Sequence, residues 1–395
     1  MSVFLNALGI TCALGSGQQA VRDALWQAGG PGAGERTERY TPGRPLHLGT
    51  VADLADGACE PSVVPAQRSR NNAMLYRTLD QIRPAVEGAI SRVGPARVAI
   101  VLGTSTSGIR EGELAVRALE QSGALPRAYH YGQQELGSPA IFLARMLGTT
   151  GPAYTVSTAC SSSAKAMAAG ARLLRHGMAD VVLTGGVDTL CAFTIAGFSS
   201  LESVSAARCN PLSANRNGIN LGEGAALFLM SREAGPVRLA GWGETSDAYH
   251  ISAPDPKGTG ARTAMRQALA RAGIGASDID YLNLHGTATP ANDVMEAHAV
   301  ADVLGREVPV SSTKPLTGHT LGAAGAIEAA LMWLTLTENP RGRLPAHWWD
   351  GVADPALPPL HVAASDASLG RAPRYVMSNS FAFGGSNSVL VLGEG

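Results

Sequence analysis

Short runs of aliphatic and β-branched residues alternate along this chain with longer segments whose apolar positions recur every three or four residues. The short runs predict strands over 3–10, 97–103, 154–156, 179–184, 224–231, 237–240, 279–285, 308–313, 374–381 and 388–392. The longer segments predict helices over 20–28, 68–89, 111–121, 138–147, 164–174, 260–272 and 318–336. In 68–89 the apolar stripe is Leu75, Leu79, Ile82, Val86 and Ala89. Residues 29–45 are rich in Gly, Pro and Arg and read as surface loop. Residues 187–222 carry little periodicity and read as an irregular, pocket-lining segment.

One pattern occurs twice. A buried strand runs into Gly103-Thr-Ser-Thr106, and a second runs into Gly286-Thr-Ala-Thr289. A strand and helix around Cys160 are matched in order by the strand at 308–313 and the Ala-rich helix after it. The order predicts two similar α/β halves with covered sheets, divided as 1–240 and 241–395.

At 395 residues the chain buries a large core. Its 47 glycines and 16% charged residues fit a compact, turn-rich protein. A net charge of −1 gives no bulk electrostatic reason to bind nucleic acid or an anionic membrane. The five cysteines, Cys12, Cys59, Cys160, Cys191 and Cys209, show neither CxxC pairing nor metal-ligand spacing, so no metal site is expected. A reducing cytoplasm is the expected compartment. Residues 1–8 lack a charged leader before a long apolar run, and no run is long enough to span a bilayer, so neither signal peptide nor membrane span is expected.

Cys160 stands at a strand-to-helix turn. Free N–H groups and the positive end of the helix dipole favour thiolate there, and the same groups can bind an oxyanion. A buried structural cysteine is an equal reading of this unit alone. His285 ends a strand. His319 opens the Ala-rich helix, where the dipole favours neutral imidazole, able to donate to a developing enolate oxygen. Each histidine taken singly also reads as a satisfied structural residue.

Together, Thr158-Ala-Cys160-Ser-Ser, His285-Gly-Thr-Ala-Thr-Pro-Ala-Asn-Asp293, Lys314-Pro-Leu-Thr-Gly-His319 and Asn379-Ser-Phe-Ala-Phe-Gly-Gly385 resemble the elongating β-ketoacyl-acyl carrier protein synthases. The resemblance covers nearly the whole chain, in order. It implies a thiolase fold, two α/β halves packed as a layered αβαβα core. It implies decarboxylative condensation of malonyl-carrier protein with an acyl thioester held on Cys160. His285 and His319 would steady the enolate, and the N–H groups of Cys160 and Phe383 would form the oxyanion hole. Lys314 and Glu328 would form a charged pair that orients His319. Thr287 and Thr289 would bond the pantetheine arm or merely cap a turn. Phe198 and Phe383 would line and gate the acyl channel or merely pack.

No resident cofactor is implied, since 4'-phosphopantetheine arrives on the acyl carrier protein. That partner is acidic, and Arg68, Arg70, Arg127 and Arg208 are candidate docking residues. A homodimer, or a heterodimer with a related synthase-like chain, is implied. Asn210 and Asn217 depart from the family's usual Arg and Asp, which bears on selectivity. Lys165, inside the nucleophile helix, is similar to synthases of accessory clusters such as aryl polyene pathways. Two alternatives stand beside this reading: a non-catalytic, chain-length-factor-like subunit, and a thiolase-like acyltransferase that works without decarboxylation.

Overall fold

A computed structural model of the chain describes residues 2–27, 34–52, 54 and 63–395. The first half supplies strands β1 (Phe4–Cys12), β2 (Val98–Gly103), β3 (Ala153–Val156), β4 (Val181–Asp188) and β5 (Gly224–Ser231). The second supplies β6 (Val237–Ser246), β7 (Tyr281–Asn283), β8 (Val310–Ser311), β9 (Tyr375–Ala382) and β10 (Ser386–Glu394). The spatial order is β3-β2-β4-β5-β1 in one half and β8-β7-β9-β10-β6 in the other, so both read third, second, fourth, fifth, first. Directions repeat as well. The second strand is parallel to the third and fourth, and the fifth is antiparallel to its neighbours. The halves join where Phe4 and Leu5 face Arg238 and Val237.

Alternation along the strands builds the layers. Ala99 and Val101 of β2 face the central core, whereas Val98, Ile100 and Leu102 face outward onto Met74, Leu75, Phe142 and Leu143. Those residues belong to helices α1 (Arg70–Asp80) and α3 (Ser138–Leu147), with α2 (Arg83–Val93) beside them. In β10, Leu390 and Leu392 face the centre, and Val389 and Val391 face outward. The central layer is α4 (Ser162–Arg175) against α7 (Ala324–Leu336). The outer layer of the second half is α5 (Thr259–Ala272) and α6 (Pro290–Val303). Helix α7 is apolar nearly all round because a helix between two sheets has no solvent face. Each aliphatic side chain buried this way contributes about 1.5–3 kcal/mol. Gly325 lets α7 approach α4, since a Cβ there would lie 2.8 Å from that of Ala164. The result is the expected αβαβα arrangement.

Several boundaries differ from expectation. A division at 240/241 falls inside β6, and the repeat changes over between Ser231 and Val237. The segment 68–89 forms two helices, because Pro84 has no N–H to give the Asp80 carbonyl. The last helix begins at Ala324, not Gly318. Within the expected loop 29–45, Gly34–Thr37 pairs with Leu46–Gly49 as a hairpin. Residues 29–33 of that loop, and Cys59, lie outside the described residues. Among the described residues no helix is long and apolar enough to cross a membrane.

Candidate active site

Cys160 occupies a tight elbow between β3 and α4. Ala159 just before it has φ +52°, a left-handed conformation that costs an L-residue roughly 1–2 kcal/mol. Hydroxyls hold the elbow in place. The Thr158 N–H donates to Ser162 Oγ (2.8 Å), and Ser161 Oγ donates to the Thr158 carbonyl (2.9 Å). The backbone N–H groups of Phe383 and of Cys160 itself act on Sγ in favour of thiolate. They and Lys314 favour thiolate, yet burial outweighs them and pushes the thiol up to about 11. The expectation of a ready thiolate is therefore corrected: desolvation exceeds the pull of the N–H groups at this helix start.

The two histidines come from the other half and meet that sulfur. His319 Nε2 lies 3.0 Å from Cys160 Sγ. The His285 and His319 rings stand edge to face with centroids 5.4 Å apart. His319 is not on the helix. It sits in an extended turn after Gly318, tied by its N–H to the Asn220 carbonyl (2.6 Å) and by its own carbonyl to the Gly222 N–H (3.0 Å). Its basicity is held well below the ordinary imidazole value by burial and then by Lys314, so the helix-dipole explanation is replaced. His285 is lowered likewise, by burial, Lys314 and His319.

The hydrogen bonds assign the tautomers. The Leu321 N–H donates to His319 Nδ1 (3.3 Å), and the Lys314 ammonium lies 3.3 Å from His285 Nδ1. Each neutral ring therefore carries its proton on Nε2; that of His319 faces the sulfur, and His285 brings a ring nitrogen to the same cluster. The thiol and the two ring nitrogens lie within 4.8 Å of one another, a spacing a metal ion can bridge. Protonated Nε2 atoms are donors, however, and do not ligate a metal.

Lys314 and Glu328 are both 2% exposed and form an ion pair. The lysine also donates to the His285 carbonyl. The pair thus supports His285, not His319 as expected from the sequence. Burial pushes the Glu328 carboxyl up to about 7 despite Lys314. Glu296 escaped the sequence reading. Its buried carboxylate accepts from the N–H groups of His285 and Gly286 (both 2.7 Å) and from Asn379 Nδ2 (3.0 Å). The available signal was an acid on the same helical stripe as buried Ala299 and Val300.

Two cavities meet at Cys160. One, of about 380 Å³, is lined by His285, His319, Thr287, Thr289, Phe198 and Phe383 as well as the cysteine. The other, of about 320 Å³, is lined by Ser105, Thr106, Thr194 and Leu321, and shares Cys160, Phe198 and Phe383 with the first. The Phe198 and Phe383 rings are 5.7 Å apart at the boundary. Thr287 and Thr289 bond each other (2.9 Å) at the wall of the first cavity. Phe198 rides on the helix Ala192–Ser200, within the segment expected to be irregular. Asn210 and Asn217 line neither cavity.

The basic residues divide. Arg68 and Arg127 are exposed. Arg208 is half-buried and stacks over Trp348 at 4.0 Å. Arg70 is 2% exposed and paired with Glu223 (2.6 Å), so it is unavailable for docking. The sequence marked it as basic surface because burial of a paired guanidinium leaves no local signature.

Comparison with known proteins is consistent across sequence and structure. The family described as Beta-ketoacyl synthase, N-terminal domain, matches residues 87–234, and its C-terminal domain counterpart matches 237–341. The 3-oxoacyl-[acyl-carrier-protein] synthase 2 of Staphylococcus aureus is 33% identical over 379 residues, 90% of this chain and 91% of the relative. Among solved structures, the ketosynthase ApeO in complex with its chain length factor ApeC, from Xenorhabdus doucetiae, matches with TM-score 0.93 and 44% identity. That match covers 100% of this chain and 98% of the other. The ishigamide ketosynthase/chain length factor matches with TM-score 0.89 and 26% identity, covering 100% and 99%.

Proposed function

The chain belongs to the β-ketoacyl synthase family, and from that premise we propose how its residues divide the work. The enzyme is a ketosynthase, an acyltransferase that extends an acyl thioester by condensation with loss of carbon dioxide. Cys160 Sγ attacks the acyl thioester on the carrier protein. The new S–C bond forms as the bond to the pantetheine sulfur breaks, and the thiol proton leaves with that sulfur. The N–H groups of Cys160 and Phe383 hold the oxyanion. No cofactor of the enzyme's own takes part.

Malonyl-carrier protein then enters the cavity walled by Thr287 and Thr289. The bond to its carboxylate breaks, carbon dioxide departs, and the electron pair becomes an enolate. The Nε2–H groups of His285 and His319 donate to the enolate oxygen, and Lys314 with Glu328 keeps His285 in the donating tautomer. The carbanion attacks the acyl carbonyl, and Cys160 leaves as thiolate onto the N–H donors around it. The acyl chain lies in the second cavity, with Phe198 and Phe383 at the boundary.

The observation that carries this reading is the convergence of Cys160 with two Nε2–H donors on one cavity. Release of carbon dioxide from malonyl-carrier protein tests it, measured for wild type, Cys160→Ala and His285→Ala. Wild type releases it and His285→Ala does not. No release by folded wild type, alone or with a partner chain, removes the roles assigned here, and is the result expected of a thiolase-like enzyme. The intact Cys160, His285 and His319 weigh against a non-catalytic subunit.

The pathway is a specialised one of the aryl polyene kind, a reading supported by Lys165 and by the likeness to ApeO. The acyl carrier protein docks through Arg68 and Arg127, with Arg208 contributing. The partner chain is a chain-length-factor-like relative, as in the ApeO complex.

A further inference from the structure

The cavity of about 380 Å³ that leads to Cys160 is lined by Glu202 and Asp247 and, among the described residues, by no lysine or arginine. Its two histidines are buried, and burial keeps them neutral. Asp247 is committed to its neighbours, accepting from Asn387 Nδ2 (2.7 Å) and from the Asp255 N–H (3.1 Å). Glu202 is exposed, so it stands at the mouth, and among the described residues no group bonds its carboxylate. Arg68, Arg127 and Arg208 do not line this cavity.

Two local rules of stability are broken to place that carboxylate there. The helix Ala192–Ser200 ends in a Schellman turn, in which the Glu202 N–H donates to the Ser199 carbonyl (3.0 Å) and the Ser203 N–H to the Phe198 carbonyl (3.2 Å). Glu202 has φ +53°, the left-handed position that glycine fills most easily. Its charge also stands at the helix C-terminus, where the dipole is negative and a cation is the favoured neighbour. The carboxylate and the free carbonyls of the helix end therefore add at one rim. The same helix brings Phe198 to the boundary with the acyl cavity, which fixes its end relative to the substrate path. Strain retained at a cavity mouth points to a function for the residue that bears it.

We infer that Glu202 is a specificity-determining residue that reads the charge at the far end of the thioester's arm and disfavours anionic donors. The inference rests on the ketosynthase reading above, which sends the arm through this cavity. With the acyl carbon at Cys160, the far end of the arm lies toward the mouth. Pantetheine ends there in a hydroxyl, 4'-phosphopantetheine in one phosphate, and coenzyme A in a nucleotide with three phosphates in all. Each added phosphate meets the carboxylate and the helix carbonyls with no lining cation to offset it. On a carrier protein the single phosphate is esterified and bears less charge, so the carrier-bound arm is admitted where coenzyme A is opposed.

Acylation of Cys160 by the hexanoyl thioesters of pantetheine, 4'-phosphopantetheine and coenzyme A tests this, followed by intact mass in wild type, Glu202→Gln and Glu202→Arg. Wild type reacts fastest with the pantetheine donor and slowest with the coenzyme A donor. At about 0.05 M salt the ratio of the coenzyme A rate to the pantetheine rate rises about threefold in Glu202→Gln and at least about tenfold in Glu202→Arg. The gap between the variants narrows at about 0.5 M salt, because the charges are screened. A ratio equal in wild type and Glu202→Arg, or a rise that salt leaves untouched, overturns the inference. Should the arginine variant fail to fold, Glu202→Gly decides. Glycine suits the left-handed backbone, so that variant unfolds at a higher temperature than wild type, and its ratio also rises about threefold. An unchanged ratio in Glu202→Gly overturns the inference. Acylation with an unaltered ratio removes this inference alone, whereas no acylation of the folded chain by any donor, alone or with a partner chain, removes the ketosynthase reading beneath it.

Discussion

Replacing Lys314 separates the structural and chemical roles of the buried ion pair. Its ammonium reaches the Glu328 carboxylate, the His285 carbonyl and His285 Nδ1. Lys314→Ala strands a carboxylate that is 2% exposed. Were Glu328 to stay charged, the loss would be about 3–5 kcal/mol. Its carboxyl already titrates at about 7 with the lysine beside it, and removing the cation raises it further. At pH 7 it therefore takes up a proton, which limits the loss to about 1–3 kcal/mol, the cost of buried groups left without partners. The sign follows from linkage. A carboxyl raised in the folded state binds a proton that the unfolded chain releases, so the variant's deficit grows from pH 7 to pH 8.5.

The chemical effect differs. Without the ammonium, His285 Nδ1 has no donor to hold the proton on Nε2, and one enolate donor is lost. Decarboxylation falls about 10²–10³-fold, as for loss of one oxyanion donor. Urea unfolding at pH 7 and 8.5, with single-turnover carbon dioxide release, measures both effects. In Lys314→Ala/Glu328→Gln the deficit at pH 7 stays at about 1–3 kcal/mol, because the buried amide also lacks a partner, but it no longer grows toward pH 8.5, since no carboxyl is left there to titrate. Decarboxylation stays low. Recovery of decarboxylation in the double variant would refute the tautomer argument.

Other predictions concern protons and surface charge. Alkylation of Cys160 by iodoacetamide, followed by peptide mapping, climbs through pH 9 to 11, because burial sets the thiol at about 11; a plateau below pH 8 contradicts this. Lys314→Ala slows that alkylation, since the cation favours thiolate. Burial holds His347 at about 4, so the unfolded chain binds its proton first, and stability present above pH 6.5 is lost as pH falls toward 4. The loss amounts to about 3 kcal/mol, and His347→Gln flattens the slope of unfolding free energy against pH by roughly one proton. Arg127→Glu raises KM for the carrier protein in a salt-dependent way and leaves kcat unchanged. Arg70→Ala instead costs about 3–5 kcal/mol of stability by uncovering Glu223.

Much of the architecture was legible because strands facing two different layers must alternate and a helix between sheets must be apolar throughout. The repeated Gly-Thr-x-Thr ends of β2 and of the β7 segment announced the two halves before the strand order did. Cys160, His285 and His319 were legible because each follows a strand or precedes a helix, where α/β proteins place exposed chemistry. What failed was side-chain reach. Nothing in spacing says that Lys314 turns to His285 instead of His319, five residues away, or that Glu296 gathers two N–H groups from the preceding loop. Arg70 failed for the same reason, since its partner Glu223 is far along the chain. Cys160 acidity was misjudged because a local dipole can be read from sequence, while desolvation depends on everything packed around it.

Covalent loading of the nucleophile tests the central claim most directly. The chain, alone and with a partner, is incubated with an acyl-carrier protein bearing a short acyl thioester, then digested and weighed. One acyl group is predicted on the peptide containing Cys160, discharged when malonyl-carrier protein is added and retained in His285→Ala. Acyl mass on another residue, or discharge that proceeds without His285, would contradict the account.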